Sequence, residues 1–147
     1  MKYLLLILAL LGIAAASLAL REHYRPYGES VCDINAHWDC GIVNHSPYAV
    51  IPRGSEHGLP VAVIGIAGYI VLGVLAWKRA YKSMLVLAIP ALAYSLYLAS
   101  LEASPNKLGV WCLYCAISLG TISLMTLLLL LRLLLARPSV SDASQAT

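Results

Sequence analysis

Four uncharged apolar runs alternate with polar stretches along the chain, at residues 3–20, 59–77, 84–101 and 108–131. The first holds 18 residues, the second 19 and the last 24. As a helix, 18 residues rise about 27 Å, close to the roughly 30 Å hydrocarbon core of a bilayer. Each run is therefore expected to be a transmembrane helix. The predicted architecture is an all-α membrane protein, a four-transmembrane-helix bundle in one domain over residues 1–137. An extended outer loop at 21–58 is expected to contain a short amphipathic helix, and the polar tail 138–147 to be disordered.

The run at 3–20 has a competing reading as a cleavable signal peptide. Lys2 makes a short basic start, and Ser17-Leu18-Ala19 resembles a small-x-small cleavage pattern. Its length exceeds the usual apolar core of a signal, roughly 7–15 residues, which favours a retained helix. In the second run, Gly65, Gly68 and Gly73 permit close helix packing. Pro90 is a candidate kink in the third. Within the loop, residues 33–48 have some helical character. Ile34, Trp38, Ile42 and Val43 form one stripe there, suited to a membrane surface; an ordinary loop is the alternative.

Composition agrees with the pattern. Of 147 residues, 61% are hydrophobic and 12% charged, against about 25% charged in a soluble domain. No basic patch is interleaved with aromatics, so nucleic acid is not an expected partner. Lys2, Lys78, Arg79, Lys82, Arg132 and Arg137 fall on one side of the predicted membrane. Arg21, Arg25, Arg53 and Lys107 fall on the other, with six of the seven acids. The denser basic side, tied to short connections, is expected to be cytoplasmic. Both termini are then inside, and the loop 21–58 and the turn 102–107 face outward. Trp77 and Tyr81 at the inner side, and Trp111 and Tyr114 at the outer, are expected in interfacial belts.

The four cysteines, Cys32, Cys40, Cys112 and Cys115, all fall on the outer, oxidising side. Cys112 and Cys115 stand three apart at the mouth of a membrane run, and positions i and i+3 share a helix face. A helix N-terminus lowers a thiol pKa, mainly in the first turn. A cap at Gly109 would give Cys112 that benefit and a cap at Asn106 would not. Cys115 lies one turn deeper, in a more apolar setting. Cys32 and Cys40 lie in a loop expected to be flexible, able to visit a soluble thiol protein and the helix pair in turn. These placements suggest a relay from Cys32 and Cys40 to Cys112 and Cys115 and on to an apolar acceptor. Two structural disulfides, or a zinc site using both pairs or one pair with His37 and His45, are the alternatives. Asp39 either tunes Cys40, caps a helix or is solvated. The four histidines are read as surface residues, and Glu102 as an interfacial acid without a role.

Val31-Cys32-Asp33-Ile34-Asn35, Asp39-Cys40, Ser46, Gly58-Leu59-Pro60, Gly65, Tyr69 and Cys112-x-x-Cys115 together resemble the vitamin K epoxide reductase family over residues 1–135. The resemblance implies a four-helix bundle around a quinone of ubiquinone, menaquinone or vitamin K type. It implies that Cys115 attacks the quinone and that Cys112 exchanges with Cys40. The loop pair would then serve a thioredoxin-like (DsbA-like) protein, expected to be separate because only about ten residues follow Arg137. Ser46 matches the family's Ser or Thr near the active cysteines. Vertebrate members hold the quinone carbonyls with an Asn and a Tyr, and Val61 and Leu119 stand at those positions. Trp111 is a further candidate for the quinone pocket. Disulfide-forming thiol oxidation, with reduction of a vitamin K epoxide or quinone as the alternative, is the implied activity, and no metal is implied.

Overall fold

The computed structural model describes residues 1–26 and 28–136; the tail 138–147 lies outside them. Backbone N–H and C=O groups in a bilayer must bond within their own segment, so uninterrupted apolar runs become helices. They do so here: α1 spans Lys2–His23, α3 Val61–Trp77, α4 Tyr81–Ala103 and α5 Leu113–Leu135. Helices α1, α4 and α5 are long and apolar enough to cross a membrane, while α3 is a shorter apolar helix of 17 residues. Between α1 and α3 lie α2 (Cys40–Asn44), a single 3₁₀ turn (Pro47–Ala49) and a two-stranded antiparallel ribbon. The ribbon is β1 (Val50–Ile51) and β2 (Leu59–Pro60), in the register Val50↔Pro60 and Ile51↔Leu59.

α1 packs on α3 and α5, and α4 packs on α5 and α3. The α1–α3 seam is built from small residues, which let backbones approach where no water drives association. A Cβ added at Gly65 would touch Ala16, and one at Gly73 would touch Ala9, each at 3.5 Å. Gly12 lies directly under the Tyr69 ring, leaving no room for a side chain. Gly68 faces open space instead and borders a cavity. Leu5, Leu72, Met84, Met125 and Leu129 fill the core. At one end of the bundle the Lys2 ammonium lies 3.8 Å from the centre of the Trp77 ring, and the Arg132 guanidinium 4.4 Å from that of Tyr81. α4 continues as a helix through Pro90.

Three departures from the sequence expectation bear on the cysteines. α5 starts at Leu113 rather than at 108, because Gly109 takes a left-handed conformation at φ 66°, a region open to glycine. The extended chain that follows pairs with the loop through a parallel bridge between Trp38 and Trp111. α4 runs on to Ala103, so Glu102 is helical rather than part of a turn. The loop helix is only Cys40–Asn44, and of the expected stripe Ile34 and Trp38 fall outside it. The reason is local. Asn35 Oδ1 accepts the N–H groups of His37 and Trp38, an Asx-type turn that competes with helix. The short helix does not present its side chains outward: Cys40, Gly41, Val43 and Asn44 are buried.

Candidate active site

All four cysteines meet at the end of the bundle where α5 begins. Cys32, Cys40 and Cys112 are buried in one cluster with Ala19, Val43 and Val110, and Cys115 packs against it. Cys32 and Cys40 form a disulfide with Cα atoms 5.6 Å apart; Cys112 and Cys115 are free thiols. The loop pair is not in a loose outer segment, since Cys32 is 2% exposed and Cys40 0%. Two hydrogen bonds anchor the segment before Cys40 to the residue before Cys112. The Trp111 N–H donates to the His37 carbonyl at 2.8 Å, and the Asp39 N–H to the Trp111 carbonyl at 3.0 Å.

Local chemistry places each sulfur. Asp39 is a helix cap: its Oδ1 accepts the Ile42 N–H at 2.7 Å, satisfying a donor that a helix start leaves unpaired. Asp33 accepts the Gly41 N–H at 3.2 Å. At the other pair, the N-cap of α5 is Cys112 itself, neither Gly109 nor Asn106. Its Sγ accepts the Cys115 N–H at 3.4 Å and the Asn44 Nδ2 at 3.5 Å. Its own N–H donates to Glu102 Oε2 at 3.0 Å. The hydrogen bond from the Cys115 side chain, with those from the Cys115 backbone and Asn44, holds the Cys112 thiol below its ordinary range. Burial and the nearby Glu102 charge oppose that shift without reversing it.

Beside the cluster lies a cavity of about 410 Å³, partly open and lined by residues of α1, α3, α4 and α5, within the usual size range of small-molecule sites. Its lining is mainly apolar, and Val61, Trp111 and Leu119 all contribute to it. Cys115 lines this cavity and Cys112 does not. Tyr69 supplies a polar group, its hydroxyl donating to the Ser118 carbonyl at 2.9 Å with Ser118 Oγ at 3.0 Å. Ser46 borders the cavity, but its hydroxyl donates to the Val43 carbonyl at 2.7 Å rather than to a cysteine. Tyr114 is buried against the cavity and not placed as a lipid-facing belt residue. Among the described residues, no three His, Cys, Asp or Glu side chains are grouped to hold a metal.

Sequence reasoning missed two residues here. Asn44 joins the two cysteine pairs, donating to the Cys40 carbonyl at 2.9 Å as well as to Cys112 Sγ. Glu102, read as interfacial, is buried at 3% exposure against Cys112. Asn44 had one signal, its i+4 spacing from Cys40 on a short helix; an acid at the end of an apolar run has none.

A family model described as the vitamin K epoxide reductase family matches residues 3–131. The chain belongs to the vitamin K epoxide reductase family. Curated individual proteins give no match. Membership makes the chain an oxidoreductase of a family that uses quinones, and the cysteine pairs give it a redox role. Its long apolar helices make it a membrane protein in contact with lipid.

Proposed function

We propose that the protein is a thiol–quinone oxidoreductase that supports disulfide bond formation. A thioredoxin-like dithiol outside the membrane reduces the Cys32–Cys40 disulfide. Cys40 then exchanges with a Cys112–Cys115 disulfide, and the reduced pair passes two electrons to a quinone in the cavity. The observation that carries this reading is the division of the second pair: Cys112 is buried with the loop cysteines, and Cys115 lines the apolar cavity. The hydrogen bonds to Cys112 Sγ favour its thiolate, the form that attacks a disulfide.

In this reading Cys115 bonds to the quinone, and the Cys112 thiolate then displaces it by forming the Cys112–Cys115 disulfide. The quinone leaves with two electrons and two protons as hydroquinone. Val61, Trp111 and Leu119 hold the ring by apolar contact, and Ser46 keeps α2 folded over the cavity mouth. In this reading the four helices α1, α3, α4 and α5 make one membrane domain with four crossings. Both termini are cytoplasmic and the cysteines lie at the outer face, as the basic residues at the far end of the bundle favour. Purified protein given a reduced dithiol partner and a soluble ubiquinone or menaquinone analogue should turn over, read by quinone absorbance. Absence of quinone reduction with all four thiols intact would sink the proposal.

A further inference from the structure

We propose that Glu102 is a catalytic residue: it takes the thiol proton of Cys115 and delivers it to the oxygen of the substrate bound in the cavity. This rests on the thiol–quinone reading above. Glu102 sits one residue before the end of α4, is 3% exposed, and borders the cavity beside Cys115. An ionisable group buried within a membrane helix is costly and commonly functional. Its Oε2 accepts the Cys112 N–H at 3.0 Å, and both Glu102 and Cys115 line the cavity. The ion pair between Arg25 and Glu22 is the only one among the described residues, so no basic side chain pairs with Glu102 there. Facing it are Cys112, from the turn before α5, through its N–H, and Cys115 of α5 across the shared cavity lining.

The chemistry needs a proton acceptor here that is not a sulfur. Cys115 must lose its proton to bond to a ring carbon. Were Cys112 to accept it, Cys112 could not hand it directly to a substrate in the cavity, whose lining it does not join, and would remain a thiol when it must attack the Cys115 sulfur. Glu102 is bonded to the Cys112 backbone, shares the cavity lining with Cys115, and as the acceptor leaves Cys112 ionised. The steps balance. The Cys115 proton moves to Glu102, a sulfur–carbon bond forms, and Glu102 returns the proton to a quinone oxygen. The Cys112–Cys115 bond then forms as the sulfur–carbon bond breaks, its electron pair passing into the ring. A second proton, from water at the cavity mouth, completes the hydroquinone. The two sulfurs lose two electrons and the quinone gains them.

Glu102→Gln separates this role from a structural one, because an amide oxygen still accepts the Cys112 N–H but holds no proton. In the purified full-length protein, E102Q is expected to lower kcat for quinone reduction by about 100-fold or more, in the range removal of a general base gives. KM for the quinone should stay within about twofold, and Glu102→Asp should recover part of kcat. The proposal is overturned if E102Q keeps kcat within about threefold of the unmodified protein, if KM rises in step, or if E102D is no better than E102Q. Should E102Q not fold, E102D decides alone: kcat lowered about tenfold at constant KM supports the role, and an unchanged kcat overturns it. Quinone reduction by the unmodified protein is the separate arm. Its absence overturns the thiol–quinone reading and the Glu102 role together, whereas its presence with an active E102Q overturns only the latter.

Discussion

The two ends of the bundle are held together differently. Around Leu5, Leu72, Met84, Met125 and Leu129 the helices meet mainly through apolar side chains, and the seam with α3 depends on Gly and Ala. Around Cys112, packing is joined by a set of hydrogen bonds that converge from α2, α4 and α5 on one residue. Close packing tolerates no gap but has no chemistry; converging polar groups fix a sulfur's protonation and direction. The comparison teaches that substitutions at the first end should change stability with little effect on each folded molecule's chemistry. Substitutions at the second should do the reverse.

The sharpest separation comes from Cys115→Ala. It should abolish quinone reduction, read by quinone absorbance, while the thermal melting midpoint in detergent moves little, since a half-buried thiol is replaced by a small apolar group. Retention of full activity would reverse the roles given to Cys112 and Cys115. At the opposite end, Met125→Ala removes a fully buried side chain. It should cost about 2–5 kcal/mol of stability, measured by denaturation in detergent. Activity per folded molecule should stay within about twofold, because the cavity lining does not include Met125.

Asn44→Ala tests the polar end more gently. It removes one of the donors that hold the Cys112 thiol below its ordinary range. The folded thiol ionises at lower pH than an unfolded one. The reduced protein therefore carries extra stability above the unfolded value of about 8.5, and loses it as pH falls through the folded value. In Asn44→Ala the thiolate absorbance should titrate at higher pH, and the alkaline gain in melting midpoint should shrink. An unchanged titration would remove Asn44 from the account of Cys112. The smallest effect is expected from Asp39→Ala. Loss of the α2 cap should cost about 1 kcal/mol, seen as a slightly lower midpoint, with faster alkylation of loop cysteines after reduction.

Much of the scaffold was legible without coordinates. Four apolar runs became four helices because hydropathy is a local property, and a bilayer leaves a buried backbone no other partner. Family spacing pointed to Val61 and Leu119, and adjacency to Cys112 pointed to Trp111; all three line the cavity. The start of α5 was not legible. An apolar run at 108–131 reads as continuous helix, and only pairing of Trp111 with the loop shows why the chain stays extended until Cys112. The loop helix was overextended for the same reason: a side-chain turn at Asn35 competes locally with a weak stripe.

By itself the sequence determined that the chain is a helical membrane protein with two cysteine pairs, and that its motifs match one redox family. These follow from composition and spacing, which are properties of neighbours along the chain. Only the tertiary structure decided what each sulfur faces. Asn44 and Cys112 are 68 residues apart, and Glu102 reaches Cys112 from a different helix. Hydrogen bonds of a few ångströms depend on how the helices pack, and packing is set by the whole bundle rather than by any segment within it.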